Sequence, residues 1–145
     1  METGVGVLQA AMKRRALAAG LLALAAGSAS AGEPPIQVAR RTEPGREVLV
    51  RGFAEFNRDC TLRRVQTITL VDAPAHGRVD TRPGVVTIGP NWVGSAVCEG
   101  KKLDGVRVFY VPEAGYVGTD RFVFEVGYQS NRAVRAEVEV TVAPK

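Results

Sequence analysis

The repeat length of the apolar residues, which is two, constrains this chain more than any other feature. In Ala133–Val142, the residues Val134, Ala136, Val138, Val140 and Val142 alternate with Arg135, Glu137, Glu139 and Thr141. Successive side chains of an extended strand point to opposite faces, so the pattern buries one face and wets the other. A helix, with its longer repeat, scatters these residues around its whole circumference. Asp120–Tyr128 repeats the scheme, with Phe122, Phe124, Val126 and Tyr128 opposite Arg121, Val123 and Glu125. The intervening Gln129-Ser130-Asn131 predicts a hairpin between the two runs.

Earlier stretches read the same way. Ile36–Arg40 is a short first strand. Glu47–Phe56 places Val48, Val50, Ala54 and Phe56 on one face and Glu47, Arg51 and Glu55 on the other. Leu62–Val71 is rich in β-branched residues and stops at Ala73-Pro74. Val85–Ile88 lies between Pro83-Gly84 and Gly89-Pro90, and Val106–Val111 precedes the final hairpin. None of these stretches has a capped helical period. About seven short strands separated by turn residues predict an all-β, antiparallel β-sandwich.

The first 31 residues are of a different kind. Lys13, Arg14 and Arg15 precede the uncharged run Ala16–Ala26, and Ala29-Ser30-Ala31 follows with small side chains. This is the layout of a secretory signal peptide cut before Gly32. The apolar run is shorter than the roughly 20 residues that span a bilayer, which weighs against its retention as an anchor. Met12, just before the basic cluster, is an alternative start to Met1. Residues 32–145 then form one domain, periplasmic or secreted, with no membrane span left after cleavage.

Of the 19 Lys and Arg, three lie in the leader, against one of the 15 Asp and Glu, so its removal takes two units off the net charge of +4. What remains is dispersed: Arg40-Arg41, Arg63-Arg64 and Lys101-Lys102 are separated by acids. A nucleic-acid partner needs its basic residues gathered on one face, and none is expected here.

Cys60 and Cys98 are the only cysteines. In an oxidising compartment two thiols pair, and a single intramolecular pairing exists, the alternative being a bridge between two chains. Closing that loop contributes about 4 kcal/mol on a chain-entropy treatment. Two Cys and one His are too few for a structural zinc site, and no Cys-x-x-Cys occurs. His76, the single histidine, has no nucleophile motif around it. Asp72, Asp80, Asp104, Glu113 and Asp120 are expected at turns rather than facing each other across a cleft. No cofactor, metal or catalytic activity is expected.

Two places suggest contact with something else. Asn91 and Trp92 sit in the glycine-bounded Gly89–Gly94, and an exposed Trp there offers a stacking surface for a sugar. The alternative is a Trp folded over the end of the sandwich. Leu49 and Phe53 share the face of Glu47, Arg51 and Glu55, the side expected to meet solvent, and mark a partner surface. A bulge at Gly52 would instead bury them.

Two segments carry a resemblance. Ala73-Pro74-Ala75-His76-Gly77-Arg78-Val79 resembles a turn of bacterial cadherin-like and immunoglobulin-like repeats. Tyr110–Phe124, reading Tyr-Val-Pro-Glu-Ala-Gly-Tyr-Val-Gly-Thr-Asp-Arg-Phe-Val-Phe, is similar to their second motif. The resemblance covers about Leu70–Val142 and implies an immunoglobulin-like sandwich. Gly77 would then serve a left-handed turn position, Asp120 would accept backbone N–H bonds, and Tyr116 would reach backbone with its hydroxyl. The chain departs from these repeats in being a single copy, in its two cysteines and in lacking calcium-binding linkers. The resulting expectation is an exported, non-catalytic binding module of the cell envelope that recognises a protein partner. The alternative is a carbohydrate-binding domain for an envelope polysaccharide, using the Trp92 loop.

Overall fold

A computed structural model describes residues 32–64, 66–90, 96–128 and 132–145. The leader with its cleavage site, and the candidate contacts Asn91 and Trp92, lie outside the described residues. The described residues form nine strands in chain order: β1 (Ile36–Thr42), β2 (Val48–Phe53), β3 (Glu55–Phe56), β4 (Leu62–Arg64), β5 (Thr67–Asp72), β6 (Gly77–Thr87), β7 (Lys102–Pro112), β8 (Gly118–Gly127) and β9 (Ala133–Val142). The described residues contain no helix.

The strands form a four-stranded sheet in the order β1-β9-β8-β5, a three-stranded sheet in the order β2-β7-β6, and a small pair, β3-β4. The two larger sheets pack against each other as a sandwich. Their shared core takes Val38 from β1, Phe122, Phe124 and Val126 from β8, and Ala136, Val138, Val140 and Val142 from β9; facing them are Val50, Phe53, Val106, Val108 and Tyr110. The alternation in β9 is reproduced one for one, even positions buried and odd ones outward or half-buried. Its hairpin with β8 runs in antiparallel register from Gly118 opposite Val142 to Gly127 opposite Ala133.

Three expectations change. First, β1 pairs with β9 in parallel, Ile36 opposite Ala136 through Thr42 opposite Val142. Parallel neighbours need a long connection, and here the rest of the domain supplies it. Second, nine strands replace about seven. Glu47–Phe56 divides into β2 and β3, and Leu62–Val71 into β4 and β5, because β3 and β4 leave the large sheets and pair with each other. Third, Val85–Ile88 is not a separate strand. β6 continues through Pro83-Gly84 without a break, paired with β7 as far as Thr87 opposite Lys102. Proline lacks a ladder donor, and β6 tolerates it because it is an edge strand with one neighbour.

Cys60 and Cys98 form a disulfide. It sits in a second apolar cluster with Ile88, Phe56 and Leu103. In β7, Leu103 has the parity of Arg107 and Phe109, opposite to that of the core residues Val106 and Val108. The disulfide therefore ties β3-β4 and the segment before β7 over one end of the three-stranded sheet's outer side.

Candidate interaction surface

The rest of that outer side has a defined arrangement. β7 is the middle strand, and the parity that buries Val106, Val108 and Tyr110 turns Arg107 and Phe109 outward. Phe109 is opposite Leu49 on β2 and opposite Asp80 on β6. Arg107 is opposite Arg82. The Arg82 guanidinium lies 4.0 Å and that of Arg107 5.0 Å from the centre of the Phe109 ring. Both are within the range where a cation is attracted to a ring face.

The two arginines differ in what else they touch. Arg82 is ion-paired to Glu47. Among the described residues Arg107 is in no ion pair, and its stem lies against Gly84: a Cβ there would approach Arg107 Cδ to 2.7 Å. The bare glycine leaves a groove in β6 for that stem. Beside the ring, Leu49 is 39% exposed. Phe109 itself is only 8% exposed, yet it belongs to neither apolar cluster. The surface is thus an aromatic ring set among arginines, edged by an exposed leucine. Arginines and aromatics of this kind dominate binding at protein interfaces.

Leu49 and Phe53, expected on one face, are on opposite faces. The register slips between Leu49 and Arg51, so that Leu49 is opposite Phe109 whereas Arg51 is already opposite Val108. One additional residue reverses the parity of everything after it. Leu49 stays outward, whereas Phe53 turns inward, where it is 4% exposed and meets Phe124 edge-on with ring centres 5.8 Å apart. Phe53 is a core residue and contributes nothing to a partner surface. The slip precedes Gly52 rather than falling on it. Phe109, Arg82 and Arg107 escaped the sequence reading, although the outward parity of Arg107 and Phe109 was legible in Val106–Val111. What joins them to Leu49 is cross-strand register, which no single strand encodes.

At the other end of the sandwich the motif residues form a structural clasp. Asp120, 3% exposed, opens the buried part of β8. Its carboxylate accepts bonds from the backbone N–H groups of Ala75 at 3.0 Å, His76 at 2.9 Å and Arg121 at 3.0 Å. It also accepts the Tyr110 hydroxyl at 2.8 Å. Burial pushes this carboxyl upward, and the donors together outweigh it, leaving Asp120 below the ordinary carboxylate value. The Tyr110 phenol is raised well above its ordinary value by burial and by the adjoining carboxylate. One side chain from the four-stranded sheet thereby holds the turn between β5 and β6 and the middle strand of the other sheet.

Gly77 serves this clasp differently from the expectation. Its φ is not positive; instead a Cβ would come within 2.6 Å of both the Tyr110 ring and the Val111 carbonyl oxygen. Glycine is required there for room. The His76 ring stacks on Tyr116 with centres 4.1 Å apart, and its Nδ1 is 3.8 Å from a Glu113 carboxylate oxygen. The Tyr116 hydroxyl donates to the Thr119 carbonyl at 3.0 Å.

Of the acids expected at turns, Glu113 alone lies outside a strand; Asp72, Asp80, Asp104 and Asp120 belong to β5, β6, β7 and β8. Asp80 is bridged to Arg78 at 3.4 Å. Among the described residues no three His, Cys, Asp or Glu side chains converge as a metal site. A groove of about 500 Å³ at the start of β2 holds Glu43, which ion-pairs with Arg46 and Lys145 at 3.5 Å each. No protein-family model matches the chain, and no curated protein matches it.

Proposed function

We propose that this chain is an exported, non-catalytic binding module of the cell envelope, and that it recognises a protein partner through the outer side of its three-stranded sheet. The observation carrying this reading is the Leu49–Phe109 row with Arg82 and Arg107 against the ring. An exposed aliphatic beside a guanidinium without an acidic partner suits an interface that combines apolar contact with recognition of carboxylates. Two features support export. The leader has the parts of a signal peptide, and the Cys60–Cys98 disulfide belongs to an oxidising compartment. His76 is occupied by Tyr116, and Asp120 by four donors, which supports a structural role for both.

The test is cross-linked capture from envelope extract by the full chain after export, with N-terminal sequencing of the purified bait. The mature chain is expected to begin at Gly32. A discrete protein partner is expected with the wild type and with Trp92→Ala, and is expected to disappear with Leu49→Asp combined with Arg107→Ala. Recovery of polysaccharide instead, abolished by Trp92→Ala and indifferent to Leu49 and Arg107, overturns the proposal in favour of carbohydrate binding.

A further inference from the structure

A sandwich of two open sheets has four outer edges, and each edge offers unpaired backbone to another strand. Three of the four are protected here. β1 and β2 lie against each other across the sandwich, with Arg40 Nε donating to the Leu49 carbonyl at 3.2 Å. β6 carries Arg78, Asp80 and Arg82 along its length, and Pro83 in its middle. Charges and proline are the usual means of discouraging an incoming strand. β5 has neither. It reads Thr-Ile-Thr-Leu-Val-Asp, its one charge is the last residue, and among the described residues it is paired on one side only, with β8.

The side chains of β5 are equally unfinished. Ile68 and Leu70 are opposite the core residues Val126 and Phe124, so both point to the inner side of the sheet. Leu70 is nevertheless 44% exposed, and Val71, at the register slip between Leu70 and Asp72, is 41% exposed. An inward leucine stays wet because, among the described residues, no further strand continues the sheet beyond β5. A strand added there would pair the free backbone and cover Leu70 together.

We infer that the occupant of this edge is β5 of a second copy, paired antiparallel about a two-fold axis through Thr69. A two-fold perpendicular to the sheet keeps both inner faces on the same side, so residues opposite each other must share parity. Of the registers that satisfy this, three centre on interior residues of the strand before the slip that follows Leu70. Centring on Leu70 sets Ile68 against the Asp72 carboxylate, and centring on Ile68 sets Leu70 against the amide of Gln66. Centring on Thr69 sets Thr69 against Thr69 and each Ile68 against the Leu70 of the second copy, like against like. The ends agree in charge as well. Arg64 closes β4 just before this strand and Asp72 ends it, so antiparallel pairing brings the acidic end of each copy toward the basic end of the other. An isologous contact of this kind closes on itself, giving a dimer and not a fibre.

The surface used is separate from the Leu49–Phe109 face, so the inference stands whether or not the proposed function does. Sedimentation velocity of the exported full chain, from about 5 to 500 μM, spans the range in which a short strand-addition contact assembles. The sedimentation coefficient is expected to rise from monomer to dimer and level off there. Leu70→Lys is expected to weaken association at least tenfold without altering thermal unfolding of the monomer. Thr69→Cys is expected to form an intermolecular disulfide under mild oxidation, because directly opposite residues lie within disulfide range, whereas Leu70→Cys is expected not to. A monomer throughout the range overturns the inference, as does a dimer indifferent to Leu70→Lys. A dimer in which Thr69→Cys fails to cross-link also overturns it. If Leu70→Lys does not fold, the cysteine pair decides alone.

Discussion

A buried carboxylate with four donors is the most consequential single side chain in this protein. Asp120 is held ionised below the ordinary carboxylate value by bonds that outweigh its burial. Its contribution to stability is therefore complete above the unfolded value of about 4 and is lost as pH falls through the lower folded value. Asp120→Asn is expected to lower stability at pH 7 by roughly 3 kcal/mol, since it removes the charge and leaves buried donors short of an acceptor. It is also expected to flatten the acid limb, so that the gap in urea midpoint between wild type and variant narrows as pH falls below the unfolded value. Equal pH dependence in the two proteins would show that Asp120 is not the group responsible. The neighbouring glycine provides an independent check on the same clasp. Gly77→Ala forces a methyl to within 2.6 Å of the fully buried Tyr110 ring and of the backbone carbonyl oxygen of Val111. The expected loss is about 1–3 kcal/mol in urea unfolding, the usual cost of overpacking.

Among the elements, β2 best displays what one residue of register does. The slip after Leu49 sends Phe53 into the core and leaves Leu49 outside. Phe53→Ala is expected to cost about 3–5 kcal/mol, as large-to-small changes in a packed core do. Leu49→Ala is expected to cost under about 0.5 kcal/mol, as surface changes do. Chemical denaturation of the two variants separates this arrangement from an unbroken strand, in which both residues would lose similar amounts. β6 makes a complementary point. Its Pro83-Gly84 reads as a stop signal in one dimension, yet an edge strand has no second neighbour that needs the missing N–H.

For the molecule as a whole, the disulfide joins positions 38 apart in sequence and fastens β3-β4 over one end of the sandwich. Reduction followed by alkylation is expected to lower stability by about 4 kcal/mol through the freed unfolded chain. The urea midpoint should fall accordingly, and an unchanged midpoint would mean that the bridge constrains nothing the sandwich does not already hold. The all-β architecture, the β8–β9 hairpin and the Cys60–Cys98 pairing were all legible in the sequence. Alternation within one strand and the count of thiols are local properties, written in consecutive residues. The side of Phe53, the parallel placement of β1 and the continuation of β6 through Pro83 were not. Each depends on which strand lies alongside, and a strand's neighbours are distant in the chain. The interaction surface divides in the same way. The outward parity of Arg107 and Phe109 is in the sequence, but their meeting with Leu49 and Arg82 belongs to the register of three strands laid side by side.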